Sequence, residues 1–497
     1  MTGNHHRVCL HGGHLWPGEG ATFLEGGLML RGGTVEAVLT PADLPAAAAA
    51  ADEAVWLPGT LLMPPFFSGH VHSSATLFRG TENSLPLELW SYHAINYGRG
   101  FDERTVRAAV LLTAAEMIRN GIGGYTDHFP QSRLGAAAVA AHAESGLRVA
   151  FAPFFADLLD EDLLHIPLDR AVLARLSPLA PRNVGEMRAS LLALHAAVAR
   201  HGDGRLAFLL GPNAPQRCSD AAWDMWTDLR ERLGVGSHTH LLETLPQRLH
   251  SDRRWPGGLV AALADRDLLD ARSSVAHGVW LDGRDRELLA QNGVVLSHNP
   301  YSNQVLGSGR MDVRAALDAG VTVALGTDSA NTGGRHDLWE AMRHMLVAGR
   351  DPGSDPARWV RPGEALDAAT TGVRTAFPEC GHLTAGAPAD VLMVRMDAGV
   401  MAAAPVSPAT LTTHGDGRAV QGLMVAGRWL LRDGRIEAFD EAAVVAEAAD
   451  CAAALRNAAR PNEAALAGLT RPYMAWSDRV FAGARCPGCG SSGLHCE

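Results

Sequence analysis

Two histidines one residue apart, His70 and His72, follow a short hydrophobic run in the stretch FFSGHVHSS. Alternate residues of a strand point to the same side, so both imidazoles can face a single point and bind one metal ion. A lone histidine in a strand is more often a satisfied core or surface residue. The pair therefore predicts a site only if other metal-binding side chains meet it.

Such side chains follow several other apolar runs of the chain. They are His238, His240 and Glu243 in VGSHTHLLET, His277 in SSVAHGVW, His298 in VVLSHNP and Asp328 in VALGTDS. Three imidazoles and one carboxylate suit zinc, or iron, at a catalytic site that keeps a position for water. His240 and Asp328 can complete the first pair, and His238 stays open as an alternative to His240.

The elements that must bring these residues together are strands alternating with amphipathic helices, about eight times between residues 59 and 388. Continuous apolar strands with crossover helices indicate a parallel sheet. Eight such units predict an α/β fold, a (β/α)8 TIM barrel, whose chemistry lies at the carboxyl ends of the strands. Every residue named above follows a predicted strand, so the barrel gathers them at one face.

The two ends of the chain have a different pattern. Residues 1–58 and 389–440 consist of short strands joined by glycine turns, and Asp433-Gly434 is a hairpin signal. We predict that they form one small β-sandwich domain, followed by C-terminal helices and a cysteine-containing tail over 441–497. Four tail residues have the types of a structural zinc site: Cys486, Cys489, His495 and Cys496.

Composition excludes several classes of protein. The 497 residues carry a net charge of −11 without a basic stripe, which argues against nucleic-acid binding. No apolar run is long enough for a membrane span, and the first residues lack a secretory pattern. The seven cysteines do not make a disulfide framework, so we expect a cytoplasmic protein. All 43 basic residues are arginine, which leaves no lysine to be carbamylated or to form a Schiff base.

The motifs SGHVH, LFRG, LPLELW, HLLET, VAHGVWLD, SHNPYSN and GTDS, in this order, resemble the amidohydrolase superfamily. Within it the chain is similar to the branch of S-adenosylhomocysteine, guanine and 8-oxoguanine deaminases and triazine hydrolases. The resemblance implies metal ligation by His70, His72, His240 and Asp328. It also implies that the acid lies three residues after the strand-five ligand, which favours His240 over His238. Binuclear relatives bridge two metals with a carbamylated lysine, so one metal is expected here.

The resemblance further implies the reaction, a hydrolytic deamination of a nitrogen-rich heterocycle such as a purine, pterin, pyrimidine or triazine. The metal, Zn²⁺ with Fe²⁺ as the alternative, activates a water. Asp328 accepts a proton from it, Glu243 protonates a ring nitrogen, and His277 stabilises the attacking oxygen. A homodimer or higher homo-oligomer is expected. The alternatives are a hydrolase of the same fold that releases chloride or an amine or opens a cyclic amide, and a non-catalytic binding protein.

Substrate contacts are expected near the strand ends, from Arg79, Trp90, His93, Asp127, His128, Asn213, Gln216, His298 and Asn303. Aromatic neighbours such as Phe154 and Phe155 would stack on a flat ring. Relatives that deaminate adenosine-type substrates carry His-Ala-Pro-Tyr after the fourth strand. This chain has Asn213 in place of the histidine and Gln216 in place of the tyrosine. The difference favours a smaller or unusual heterocycle.

Overall fold

The computed structural model describes residues 6–176, 183–201, 203–350 and 353–484. Its strands form one sheet from the two ends of the chain and two parallel sheets from the middle. In chain order the strands are β1 Arg7–Leu15, β2 Leu24–Arg31, β3 Thr34–Leu39, β4 Glu53–Trp56, β5 Thr60–Met63, β6 Phe66–Val71, β7 Ile122–Phe129, β8 Arg148–Phe155, β9 Leu206–Phe208, β10 Gly211–Pro212, β11 Ser237–Leu241, β12 Ser273–His277, β13 Val295–His298, β14 Thr322–Leu325, β15 Val391–Arg395, β16 Val420–Val425, β17 Arg428–Arg432 and β18 Arg435–Ile436.

Helices connect consecutive strands of the middle segment and continue past the last strand. They are α1 Leu44–Ala50, α2 Leu87–Gly98, α3 Glu103–Arg119, α4 Gly135–Ser145, α5 Asp160–Leu163, α6 Arg170–Leu176, α7 Val184–Arg200, α8 Asp220–Leu233, α9 Leu245–Arg254, α10 Leu259–Ala264, α11 Gly283–Gln291, α12 Pro300–Val305, α13 Val313–Asp318, α14 Leu338–Ala348, α15 Pro362–Thr371, α16 Pro408–His414, α17 Glu441–Ala467 and α18 Thr470–Ala484.

The two parallel sheets close on each other. Strands β6 to β10 form one sheet, with β9 and β10 both on β8, and β11 to β14 form the other. At one junction the backbone N–H of Asp328 donates to the His70 carbonyl at 2.9 Å, and at the other Leu210 N–H donates to the Gly236 carbonyl at 3.0 Å. The strands between these junctions are parallel and buried. The predicted barrel of parallel strands with outer helices is confirmed.

The ends of the chain share one nine-stranded sheet in the order β18-β17-β16-β15-β5-β1-β2-β3, with β4 on β1. The N-terminal and C-terminal parts meet where β5 pairs antiparallel with β15. This sheet extends to Met63, past the predicted boundary at residue 58, because Pro64 and Pro65 separate β5 from β6. The predicted turn at Asp433 and Gly434 is present, and both residues have positive φ (49° and 75°). Whether this sheet forms a two-layer sandwich stays a prediction.

The C-terminal helices cover the face of the barrel near α2 and α3. On α17 and α18, Leu466, Tyr473 and Trp476 join a buried apolar cluster with Leu89 and Tyr92 of α2 and with residues of α6. Helices α17 and α18 therefore pack onto the helices that surround the carboxyl ends of the barrel strands.

A buried ion pair joins the barrel to the terminal sheet. Arg148 of β8 bonds to both carboxylate oxygens of Asp390, with Nη2 to Oδ1 at 3.0 Å, and the Ala426 N–H donates to the same carboxylate. Removing one partner leaves the other charge buried and unpaired. We expect Asp390→Ala to lower the free energy of unfolding by about 3–5 kcal/mol, measured by urea denaturation.

The matched control is Asp224→Ala, which breaks the exposed pair with Arg266 (N–O distance 2.8 Å). Exposed pairs contribute little because water screens both charges. We expect no measurable change in the urea midpoint. An equal loss in both variants would contradict the assigned role of the buried pair.

Candidate active site

The side chains singled out in the sequence come together at the carboxyl ends of the barrel strands. Nε2 of His70 lies 3.5 Å, and Nε2 of His72 3.4 Å, from Asp328 Oδ1. Nε2 of His240 lies 3.2 Å from Nε2 of His72. Each of two groups, His70 with His72 and Asp328, and His70 with His240 and His277, has ligand atoms within 4.8 Å of one another. These are groups that could hold a metal ion.

The other ring nitrogen of each histidine is already occupied. His72 Nδ1 donates to the His128 carbonyl, and His240 Nδ1 donates to the Asn213 carbonyl at 2.6 Å. His70 Nδ1 lies 2.7 Å from His238 Nε2. Donation through Nδ1 leaves the lone pair on Nε2, which is how partners beyond the metal orient ligand histidines.

Three Nε2 lone pairs thus face a carboxylate with no donor between them. Nε2 of His70 is fully buried and has no hydrogen-bond partner among the described residues. Ligands about 2.1 Å from a tetrahedral zinc lie about 3.4 Å apart, close to the 3.2, 3.4 and 3.5 Å found here. The donor set and its spacing therefore fit a divalent cation.

Burial also keeps these groups in the protonation states that a metal needs. It lowers the pKa of His70 to about 3 and holds that of His240 well below its usual value. Burial alone would raise the pKa of Asp328, but the neighbouring imidazoles, His70 foremost, hold it well below its usual value. The imidazoles of His70 and His240 are therefore neutral, and Asp328 is ionised, at pH 7.

The backbone is strained at the strand ends that carry the site. His277 and Asp328 have φ of 75° and 57°, values that residues other than glycine seldom adopt. Gly326, in the GTDS motif, lies so close to its neighbours that a Cβ there would be 2.2 Å from Asn299 Oδ1 and 3.0 Å from His70 Cβ. Close packing and strain together turn Asp328 toward the histidines.

Glu243 lies beside this cluster and faces the cavity. Burial raises its pKa to about 7. Ser308 Oγ donates to its Oε1 at 3.1 Å, and its backbone N–H donates to Gln247 Oε1 at 2.9 Å. A carboxyl group with this pKa can both accept and donate a proton near neutral pH.

His277 has one ring nitrogen held by neighbours and the other near the ligand group. Its Nδ1 lies 2.8 Å from Asn303 Oδ1 and 3.7 Å from Glu243 Oε1. Asn299 Nδ2, a donor, also lies 3.3 Å from Nδ1. The shorter contact is to the acceptor Asn303 Oδ1, which assigns the hydrogen to Nδ1. The Nε2 lone pair is then free to accept a hydrogen bond in the cavity.

His238 supports the site from behind. Its Nε2 faces His70 Nδ1, and its Nδ1 lies 2.6 Å from Ser274 Oγ. Both ring nitrogens are therefore used, whereas Nε2 of His240 faces His72. The geometry favours His240 as the ligand from β11. His128 forms a further candidate group with His70 and His238, but His70 Nδ1 and His238 Nε2 already face each other at 2.7 Å.

A cavity of about 420 Å³ opens onto these residues. Its wall includes His72, His240, Glu243, His277 and Asp328, and among the predicted substrate contacts Trp90 and Asn213. The aromatic residues Phe154 and Phe155 also line it, as expected for a flat ring. The indole N–H of Trp90 is buried without a partner among the described residues.

Seven predicted substrate contacts do not line this cavity: Arg79, His93, Asp127, His128, Gln216, His298 and Asn303. Their contact with substrate stays a prediction. Arg79, Asp127 and Asn303 are bonded to neighbouring side chains.

The charged members of that set are paired. Arg79 forms an ion pair with Glu116 of α3. Asp127 accepts hydrogen bonds from the Ser73 N–H at 3.0 Å and the Ser73 hydroxyl at 2.7 Å, and it bonds to His142 at 2.9 Å. Asp127 therefore anchors the segment that follows His70 and His72.

The others lie beneath or beside the cavity. The His128 ring packs edge-on against Phe154 with centroids 4.2 Å apart, and the buried His298 ring also lacks a partner among the described residues. The Gln216 side chain is buried away from the cavity, and His93 lies beside the lining face of α2. Asn303 acts on His277 instead of on substrate.

Three supporting residues were missed in the sequence. Arg217 lines the cavity and bonds to Asn213 and Asp160. Glu88 accepts hydrogen bonds from Thr244, next to Glu243, at 2.7 Å and from Tyr473 of α18 at 2.8 Å. Glu88 lies in the motif LPLELW and Arg217 directly follows Gln216, but nothing in the sequence pairs Tyr473 with Glu88.

Two further predictions concern the rest of the chain. The tail residues Cys486, Cys489, His495 and Cys496 lie outside the described residues. Within the described ranges, no helix combines the length and the apolar character that a bilayer crossing needs.

The family model described as "Amidohydrolase family" matches residues 61–430. A 5'-deoxyadenosine deaminase from Methanosarcina mazei is 30% identical over 404 residues, covering 80% of this chain and 87% of the relative. The match covers the whole barrel and reaches into the terminal sheet. The chain therefore belongs to the amidohydrolase family, as its motifs predicted.

Other similar proteins agree with this assignment. A 5-methylthioadenosine/S-adenosylhomocysteine deaminase from Pyrococcus horikoshii is 28% identical over 400 residues, 80% of this chain and 89% of the relative. An adenosine deaminase structure from Xanthomonas campestris with bound zinc has a TM-score of 0.79 at 24% identity, covering 90% of this chain and 98% of the other. A zinc complex of an atrazine chlorohydrolase from Arthrobacter aurescens has a TM-score of 0.79 at 20% identity, covering 90% and 100%.

Metal content tests the ligand assignment. We expect wild-type protein to hold about one metal ion per chain after dialysis. Asp328→Asn and His240→Ala should lose stoichiometric metal because each removes a ligand. His238→Ala should instead weaken affinity about 10–100-fold, since it removes only the partner of a ligand. Elemental analysis and chelator competition measure both effects.

The control for these variants is His414→Ala, an exposed histidine at the end of α16. It should keep wild-type metal content. Loss of metal from His238→Ala with retention in His240→Ala would reverse the assignment of the two residues.

Proposed function

We propose that this protein is a metal-dependent hydrolytic deaminase that removes an amino group from a nitrogen-rich heterocycle. The observation that carries the proposal is the set of three imidazoles and one carboxylate beside an acid with a pKa near 7, all at one cavity. The similarity to curated deaminases over 80% of the chain supports the same reaction.

The metal is proposed as a single Zn²⁺, held by His70, His72, His240 and Asp328, with Fe²⁺ as the alternative. When bound, such an ion acts as a Lewis acid and lowers the pKa of water from 15.7 to about 7. The absence of lysine from the chain supports one ion instead of a lysine-bridged pair. Two solved neighbours with bound zinc support the choice of metal.

The chain's own residues then move protons and hold charge. Asp328 is ionised and can accept a proton from the attacking water. Glu243, which is half protonated near pH 7, gives a proton to the ring nitrogen beside the carbon that is attacked. His277 accepts a hydrogen bond at Nε2 and fixes the direction of attack. Phe154, packed edge-on to the histidine cluster, and Trp90 form an apolar wall that limits water in the cavity.

The substrate class is proposed as an amino-substituted heterocycle of the purine type. The relatives named above act on 5'-deoxyadenosine and on 5-methylthioadenosine or S-adenosylhomocysteine. This chain has Asn213 and Gln216 where relatives that deaminate adenosine-type substrates have histidine and tyrosine. It therefore differs from their His-Ala-Pro-Tyr pattern. We therefore propose deamination of a purine-like ring, with the substituent on the ring left to experiment. A homo-oligomer and a cytoplasmic location stay predictions.

The role of Glu243 predicts a distinctive variant. Glu243→Gln keeps the shape but cannot transfer a proton, so kcat should fall about 10²–10⁴-fold while metal content stays unchanged. For wild-type protein, kcat/KM should decrease as pH rises through the pKa of Glu243, near 7, because the protonated form is lost. The charge of a bound cation moves this decrease, the alkaline limb of the pH profile, to lower pH. Steady-state rates from pH 5 to 9 measure it.

In the Gln variant the residual activity should lack this limb. A near-normal kcat, or an unchanged limb in the variant, would show that another group supplies the proton.

Ammonia release tests the function itself. Metal-loaded protein is assayed with a panel of 5'-deoxyadenosine, adenine, guanine, a pterin, cytosine, an amino-triazine and an alkylamino-chlorotriazine. We expect ammonia from at least one purine. Chloride or amine release from triazines without ammonia would support the same-fold hydrolase. Stoichiometric metal with no turnover of any compound would count against the proposal.

A further inference from the structure

The loop after β10 places an amide beside a guanidinium at the cavity wall. Arg217 Nη1 donates to Asn213 Oδ1 at 2.8 Å, and both residues line the cavity. Arg217 is itself held by Asp160, with Nε donating to Oδ1 at 2.7 Å and Nη2 bonded to Oδ2. A guanidinium held by a two-point bond to a carboxylate has little freedom to rotate.

These neighbours determine which end of the Asn213 amide faces them. Arginine has only donors, so the amide atom beside Arg217 must be the oxygen. His240 Nδ1 lies 3.2 Å from the same atom and carries a hydrogen, because Nε2 of that ring faces the ligand group. Two hydrogen-bond donors therefore identify this amide atom as the oxygen. Without such neighbours, the oxygen and nitrogen of an amide are hard to tell apart.

The nitrogen of the Asn213 amide is not used in a hydrogen bond. Asn213 Nδ2 has no hydrogen-bond partner among the described residues, although the residue borders the cavity. Its two N–H groups are the part of the side chain still able to bond. A substrate that presents a hydrogen to Asn213 Nδ2 would leave both N–H groups unpaired. A substrate atom with a lone pair at the same place would accept a hydrogen bond from one of them.

We propose that Arg217 is a positioning residue that turns the Asn213 N–H group toward the substrate. The cavity thereby selects a heterocycle with a ring nitrogen or an oxygen as acceptor at the edge facing Asn213. This inference rests on the proposed deaminase function and adds to it a chemical requirement on the substrate. Since Asp160 holds Arg217, the short helix α5 contributes to specificity through this ion pair.

The test compares a substrate with analogues that differ by one atom. The probes are the best purine substrate of the panel and its 3-deaza and 7-deaza analogues, in which a ring nitrogen becomes C–H. In wild-type protein one analogue should lose about tenfold or more in kcat/KM, because an N–H donor is left unpaired. In Asn213→Ala the ratio of parent to that analogue should fall to near one.

The double variant Asp160→Asn/Arg217→Met frees the amide without leaving a buried charge unpaired, and the same ratio should fall toward one. The matched control is Arg254→Met. Arg254 donates to the carbonyls of Gln216 and Cys218 in the same loop but does not bond to Asn213. It can lower overall activity, yet the ratio should stay at the wild-type value. A ratio between two substrates is insensitive to general loss of folded enzyme.

Three results would overturn the inference. They are equal use of all analogues by wild-type protein, a ratio that persists in Asn213→Ala, and a ratio that persists in the double variant although Asn213→Ala abolishes it. Each leaves deamination intact and so differs from failure of the proposed function, which is absence of ammonia from every compound. That last outcome removes the basis of the inference as well.

Discussion

The site depends on lone pairs that face one another without a donor between them. His72 and His240 each donate through Nδ1 to a backbone carbonyl, so their Nε2 atoms can only accept. Asp328 adds a carboxylate to the same space. Such an arrangement is unfavourable by itself, and a cation is the partner that makes it favourable. Supporting residues such as His238 and Asn213 keep those rings in this orientation.

A second layer of structure holds two carboxyl groups near that point. The left-handed backbone of His277 and Asp328 is costly, and Gly326, two residues before Asp328, packs closely against Asn299 and His70. The environment of Glu243 differs from that of Asp328, because Asp328 has histidine partners and Glu243 has chiefly burial. Two carboxyl groups in one cavity therefore have separated pKa values, which suits one to ligation and the other to proton transfer.

The sequence predicted the parts that follow from strand geometry. The carboxyl ends of parallel strands meet at one face of a barrel. Residues as distant in the chain as His70 and Asp328 could therefore be predicted to lie close together. Which side chains of the next layer reach the cavity could not be predicted, because Asp127 and His128 have ligand-like types but turn behind it. The contact of Glu88 with Tyr473 depends on how α18 packs, and no periodic pattern encodes that. The assignment of β5 to the terminal sheet depended on a proline break inside one apolar run.

The hydrogen bond from the Asp328 N–H to the His70 carbonyl joins the last strand of the barrel to the first. The seam of the cylinder therefore runs through the metal site. A nascent chain whose eighth barrel strand has not yet been synthesised has neither a closed cylinder nor a complete set of candidate ligands. Closure of the cylinder and assembly of the candidate ligand set therefore depend on the same strand.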